Sequence, residues 1–325
     1  MMMDGPDALS VALRAISFTL LLNAAGIPIF IAAFWQLTPN SLSSVQKLGR
    51  RMAIAALLFV AAHQTLEAAR MAGDMSGITD LAMQKMALLS PTGAAFAARI
   101  LGLLLVAAGL RPSAPATLSA AAPSHMDEAT GAPKQHTELA SSARMPPPRG
   151  APTPATAITL LGALLIAMSF TLMGHTTTTP HRLAAAALII LHLLVVAAWL
   201  GSLWPLYLAA KQEAPLATGR VIDRFSAAAA WLVPLILLAG IGLSALLLPG
   251  LAAFKQPYGQ LLLVKLTGFA ALMACACLNK WRFGPACAAG NTAAFERTAI
   301  SEYVLICAVL TATAIMTTFY SPDSG

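Results

Sequence analysis

Eight apolar stretches, at roughly 8–35, 52–69, 92–110, 156–172, 183–204, 227–248, 259–279 and 300–319, decide what this chain can fold into. They approach or exceed the ~20 residues an α-helix needs to cross ~30 Å of hydrocarbon at 1.5 Å per residue. A backbone in lipid must satisfy its own N–H and C=O groups, which isolated strands cannot do. The chain is therefore predicted to be an all-α integral membrane protein, a bundle of about eight transmembrane helices. Charge supports this reading. Only 10% of the residues are charged against 58% hydrophobic, whereas a soluble domain carries roughly 25% charged residues to coat its surface. The first stretch is longer than the apolar region of a signal peptide, and Asp4 and Asp7 stand where a basic segment would be. It is read as the first true span.

The basic residues fall unevenly among the connections. One set of loops holds thirteen of them: Lys47, Arg50, Arg51, Arg111, Lys134, Arg144, Arg149, Lys211, Arg220, Arg224, Lys280, Arg282 and Arg297. The opposite set holds five, Arg14, Arg70, Lys85, Arg182 and Lys255, with Arg99 and Lys265 inside spans. Positive charge collects on the cytoplasmic side, so both termini are expected on the outer face of the membrane, which the chain crosses as a multi-pass protein. The same bias accounts for the net charge of +7 without nucleic acid.

Pro112 to Pro154 differs in kind. It is built from Pro, Ala, Ser and Thr, and such a composition cannot bury a core. Three parts are expected: an N-terminal three-span part at 1–111, a disordered cytoplasmic linker at 112–155 and a five-span part at 156–325. Within the linker His125, Met126, Asp127, Glu128 and His136 could hold a metal weakly, but the composition is that of a solvated tether. The four cysteines, Cys275, Cys277, Cys287 and Cys307, form no extracytoplasmic disulfide framework. Alternate positions on a helix diverge, so the Cys275/Cys277 pair is not a ready chelate.

Polar and soft side chains inside spans are expensive and so are the functional suspects. Beyond the three initial residues there are eleven methionines, and seven lie toward the expected outer face: Met71, Met75, Met83, Met86, Met168, Met173 and Met316. Packing explains scattered methionines well and a one-sided cluster less well. The histidines lean the same way. His175 and His181 bracket the loop GHTTTTPH, His63 lies near the outer end of the second span, and His192 lies near the middle of the fifth. His181 and His192 are eleven residues apart, about 16 Å on one helix face, and Trp199 continues that stripe. His63 and Glu67 share a face at four-residue spacing. That pair reads equally as a buried hydrogen bond or as a carboxylate behind a metal-bound imidazole. Imidazole and thioether together suit copper, since thioether selects Cu(I) and imidazole accepts Cu(I) or Cu(II). The tight Cys or carboxylate spacing of zinc sites is missing. Among the remaining charges, Arg99 is expected to pair within the bundle, with Glu67 as the candidate. Lys265 and Glu302 could neutralise one another, and Arg224 reads as an interfacial anchor.

The stretch GHTTTTPHRLAAAALIILHLLVVAAWLGSLWPL, followed by RFSAAAAWLVPLILLAGIGLSALL and YGQLLLVKL, resembles the copper-resistance protein D family (CopD/PcoD). The likeness covers about half the chain, from about Ala155 to Pro322; the first three spans resemble the family in number and character. The resemblance implies a bacterial inner-membrane copper protein, its outer face and both termini periplasmic, that moves copper from periplasm to cytoplasm, receiving it from a periplasmic CopC-like carrier. It points to Gly174, His175, His192, Trp199, Gly201, Arg224, Phe225, Ser226, Tyr258, Gly259 and Lys265, and geometry adds His181. The long linker departs from the family pattern.

The candidate metal ligands are thus His175, His192, His181, His63, Met173, Met168 and Met316, with Glu67 beside them. No catalytic constellation is assigned and the chain is not read as an enzyme. It has no GxxxxGK[ST] loop and no DKTG sequence, so transport would be driven by a gradient, by membrane potential or by hand-off. Two other functions compete. A b-haem electron-transfer protein needs paired histidines at matching depth, for which His63 and His192 are the candidates. A sensor or assembly partner would bind copper on the outer side without moving it.

Overall fold

The structure, a computed structural model, describes residues 5–111, 153–173, 180–248 and 250–320. The linker histidines, the linker carboxylates and His175 lie outside the described residues. Among those described there is no strand. Eight helical segments are long and apolar enough to cross a membrane: Ala8–Leu37, Leu42–Ala72, Pro91–Gly109, Pro154–Leu172, Arg182–Gln212, Pro215–Leu247, Pro257–Ala288 and Ala293–Phe319. The eight predicted spans are all present.

In chain order the helices are α1 (Gly5–Phe34), α2 (Leu42–Ala72), α3 (Leu81–Leu89), α4 (Pro91–Gly109), α5 (Pro154–Ser169), α6 (Arg182–Gln212), α7 (Pro215–Leu247), α8 (Pro257–Leu278), α9 (Gly284–Ala288) and α10 (Ala293–Phe319). Local sequence explains many of their ends. Proline opens α4, α5, α7 and α8, where its fixed φ suits a helix and its missing N–H has no partner to lose. Gly73 ends α2 at φ 83° and returns its N–H to the Ala69 carbonyl, a left-handed cap that glycine adopts without strain. The short helix α3 lies between the apolar stretches at 52–69 and 92–110. It forms because the Asp80 carboxylate accepts from the Ala82 and Met83 N–H groups at 2.8 and 3.2 Å, satisfying donors that the first turn leaves open.

Helix α1 is the spine. It packs against α2, α5, α6 and α10, and its Leu21, Ile27 and Phe30 are almost fully buried. Its closest approach is to α6 at Gly26 and Gly201. A Cβ on Gly201 would meet the Gly26 backbone at 2.5 Å, and one on Gly26 would run into the Ala197 carbonyl. Helices α4 and α5 meet in the same way, with a Cβ on Gly102 falling 2.7 Å from the Gly162 oxygen. Small residues that let backbones touch are how helices associate where lipid offers no hydrophobic drive. The other extreme is α7 and α8, which flank the bundle against α6 and α10 respectively. Trp231 and Leu238 on α7 and Val264 on α8 are 77%, 64% and 55% exposed, a surface suited to hydrocarbon.

Cross-links fix which helix ends lie together. Arg14 joins the start of α1 to Glu67 near the end of α2 and to the Thr317 carbonyl near the end of α10, at 3.3 and 2.9 Å. Arg99, on α4, donates to Ser169 at the end of α5. This is the His181 end. At the opposite end Glu213, just past α6, takes the Ser41 N–H and hydroxyl at 2.7 and 2.8 Å and the Asn40 amide at 3.0 Å. The carboxylate therefore sits on the N-terminus of α2, where the helix dipole favours negative charge. Lys211 pairs with Glu296 there at 3.4 Å. This is the Glu213 end.

Candidate functional site

At the His181 end the structure gathers a charged cluster. Glu67 Oε1 lies 3.3 Å from Arg14 Nη2 and 3.1 Å from Arg70 Nη1. His63, four residues earlier on α2, is buried, and its Nε2 accepts from Arg14 Nε at 3.4 Å while standing 3.6 Å from Glu67 Oε1. A ring nitrogen that accepts a hydrogen bond carries no proton, so Glu67 is not taking a proton from that atom. The shared face of His63 and Glu67 is as expected, but two arginines occupy the carboxylate. Arg14 was not among the predicted partners. Its place near the start of the first span hid it, because sequence gives depth along a helix and not the direction a side chain faces.

Arg99 is buried on the neighbouring pair of helices. It donates to Ser169 Oγ at 3.1 Å and to Met173 Sδ at 3.8 Å, and its guanidinium lies 4.7 Å from the Phe170 ring centroid. The expected direct pairing of Arg99 with Glu67 is thus replaced by a hydroxyl, a thioether and an aromatic face. Met173 is engaged by a cation through its sulfur. Met168, on α5, is 43% exposed, and Met316, on α10, is buried. Met71, Met75 and Met86 are each about half exposed around α3 and the end of α2.

His181 precedes the first turn of α6 and is exposed. His192 lies in mid-helix and is partly buried. Its Nδ1 is shut off from solvent and has no hydrogen-bond partner, although the ring as a whole also interacts with the Ile236 backbone of α7. The ring approaches α7 at Gly240, where an added Cβ would lie 3.9 Å from Cε1, and Lys265 of α8 is within electrostatic range. His63 looks instead toward α1. The two histidines have different neighbours, Arg14 and Glu67 for His63 and the α7 backbone at Gly240 for His192.

Below His192 on the same face, Trp199 meets a group that the sequence had paired otherwise. Its Nε1 donates to Glu302 Oε2 at 3.2 Å, and Asn279 Nδ2 donates to Glu302 Oε1 at 2.7 Å. Glu302 is only 3% exposed. Lys265 makes no ion pair with it, so the expected neutralisation is corrected: two neutral donors hold the carboxyl. Among the described residues no group of three or more His, Cys, Asp or Glu side chains could hold a metal ion. The four cysteines are free, with Cys287 buried and Cys277 exposed. Arg224 is exposed on α7.

Two family profiles match the chain. The profile described as copper resistance protein D-like, N-terminal domain, covers residues 2–131, and the profile described as copper resistance protein D covers residues 219–316. The chain belongs to the copper resistance protein D family. No curated protein and no solved structure matches it. The N-terminal match extends the family likeness to the first three spans, which had resembled the copper resistance D proteins only in number and character. Arg224, Phe225, Ser226, Tyr258, Gly259 and Lys265 fall inside the second match. His181, His192, Trp199 and Gly201 fall between the two, so they rest on motif and geometry. For Gly201 the geometry is explicit, since the α1–α6 crossing leaves no room for a Cβ. The chain is a copper-resistance membrane protein, with eight helices able to span a membrane among its described residues.

Proposed function

We propose that this protein takes up copper at the periplasmic face of a bacterial inner membrane and passes it toward the cytoplasm. The His181 end would be the mouth, with His175, His181 and the Met168 thioether meeting the ion there, and the Met173 thioether joining them once it leaves Arg99. Met316 lies deeper at the same end. His192 is the next ligand, about 16 Å further along α6. A periplasmic CopC-like carrier would deliver the metal. No bond of a substrate is made or broken, and the protein is read as a conduit and not an enzyme.

One observation carries the reading within a copper-resistance family: the buried Nδ1 of His192 has no hydrogen-bond partner. A polar atom left unsatisfied in a span is costly, and a ligated ion would satisfy it. Imidazole binds copper in either oxidation state. The nearby Lys265 opposes a second positive charge, which suits a position of passage better than one of tight storage. The cluster at His63 and Glu67 takes a different part. With Arg14 at the histidine nitrogen and two arginines on the carboxylate, it ties α1, α2 and α10 together and is a poor place for another cation.

Metal analysis and an absorption spectrum on the purified protein test this directly. The expected result is bound copper with no Soret band. A Soret band with stoichiometric iron would overturn it in favour of the haem protein.

A further inference from the structure

We propose that Glu302 is a reversible proton-binding site inside the bundle and that copper passage is coupled to it. The coupling rests on the transport reading above; the proton site does not.

The position is deep. Glu302 lies nine residues into α10 from Ala293, about 14 Å from the Glu213 end of that helix. The residue is buried, 3% exposed. An ionised carboxylate in such a place normally keeps a cation beside it, because the lone charge is poorly solvated. Glu67 does so, with two arginines. Among the described residues no lysine, arginine or histidine forms an ion pair with Glu302. Its two hydrogen-bond partners, the Trp199 indole and the Asn279 amide, are uncharged donors. The titratable groups around it do not supply a cation either. Cys275 on α8 interacts with it electrostatically. On α10 itself stand Tyr303, hydrogen-bonded to Asn23 of α1 at 3.1 Å, and Cys307. Lys211 of α6 is committed to Glu296, nearer the end of the bundle.

Asn279 provides the second, independent observation. It is 9% exposed, and its Oδ1 is buried with no hydrogen-bond partner, although its Nδ2 is engaged by Glu302. A proton on Glu302 supplies the missing donor. The carboxylic acid O–H then gives to the amide oxygen while the amide N–H gives to the acid, a two-point acid–amide pair. Both the charge and the orphaned oxygen are resolved by one proton. Asn279 also opens the π turn Asn279–Phe283 between α8 and α9. Such wide turns inside helices are frequent at functional sites. When the proton leaves for water at the Glu213 end, the carboxylate regains its charge and the amide oxygen loses its donor. The protonated and ionised forms therefore favour different arrangements of α8 and α10, and a cation passing from His192 would find a negative group at this depth only in the second.

Infrared difference spectroscopy on reconstituted protein, titrated with pH, tests the site without copper. The expected result is a protonated-carboxyl band in the wild type that disappears in Glu302→Gln and shifts in Asn279→Leu, which keeps the acid and removes its amide partner. No such band, or a band unchanged in both variants, overturns the proposal. Copper flux into proteoliposomes under an imposed pH difference tests the coupling. Wild-type flux should respond to the gradient, and Glu302→Gln should lose that response while retaining copper bound at the mouth. A wild-type flux indifferent to the gradient overturns the coupling. A wild type that binds copper and never moves it fails the transport reading instead, and the infrared result then judges the proton site alone.

Discussion

Glu67 and Glu302 are both carboxylates withdrawn from solvent in the same bundle, and their surroundings could hardly differ more. Glu67 stands among Arg14, Arg70 and His63. Glu302 stands among an indole and an amide. A carboxylate held by guanidinium groups ties helices together. One held by neutral donors can exchange its charge. The two ends of the bundle have therefore been given different tasks, with a fixed electrostatic clasp at the His181 end and a changeable group toward the Glu213 end. Packing repeats the contrast. The α1–α6 crossing has backbone against backbone, whereas α7 and α8 lean mainly on α6 and α10 and turn Trp231, Leu238 and Val264 outward.

The packing contrast can be broken most severely at the crossing. Gly201→Leu places a branched side chain where the Gly26 backbone already lies within 2.5 Å of a bare Cβ. No folded protein should accumulate, as read by detergent extraction and size-exclusion chromatography. Gly240→Ala on α7 adds a Cβ that meets only His192 Cε1, at 3.9 Å, and should accumulate normally. Equal losses in both variants would mean that α1–α6 contact is not the spine of the fold.

The electrostatic contrast is sharpened by Arg14→Ala. It removes the donor to His63, the partner of Glu67 and the bond to the Thr317 carbonyl together. Charged hydrogen bonds of this kind contribute about 2–3 kcal/mol when one partner is lost from a partly buried site. A lowered thermal midpoint in detergent is expected, and the Arg14→Ala/Glu67→Ala double variant should lose less than the sum of the single losses. Full additivity would show that the two do not act as a unit.

Much of this was legible before any coordinates. Eight stretches of apolar residues yield eight spans because length and hydropathy alone decide whether a helix can cross. The bounds were less legible. Helix α2 starts at Leu42, ten residues before the apolar run from 52, because Lys47, Arg50 and Arg51 are good helix formers that no hydropathy window favours. Helix α3 was hidden for the opposite reason. It is too short to span, and its signal is the Asp80 cap. The ladder of His181, His192 and Trp199 follows from helical spacing, but what each meets across the bundle does not. Arg99 was assigned Glu67 and found Ser169; Glu302 was assigned Lys265 and found Trp199 and Asn279. In both cases depth was readable and azimuth was not. Gly201 was singled out by family likeness, and Gly26, the residue that makes it necessary, carried no sequence signal.

The central claim is that copper bound at the His181 end proceeds past His192. It is tested by measuring bound copper and copper flux into proteoliposomes for the wild type, His175→Ala and His192→Ala in parallel. His192→Ala should keep copper at the mouth and stop its passage, while His175→Ala should weaken binding itself. Equal loss of binding in both variants, or undiminished flux through His192→Ala, would contradict the account.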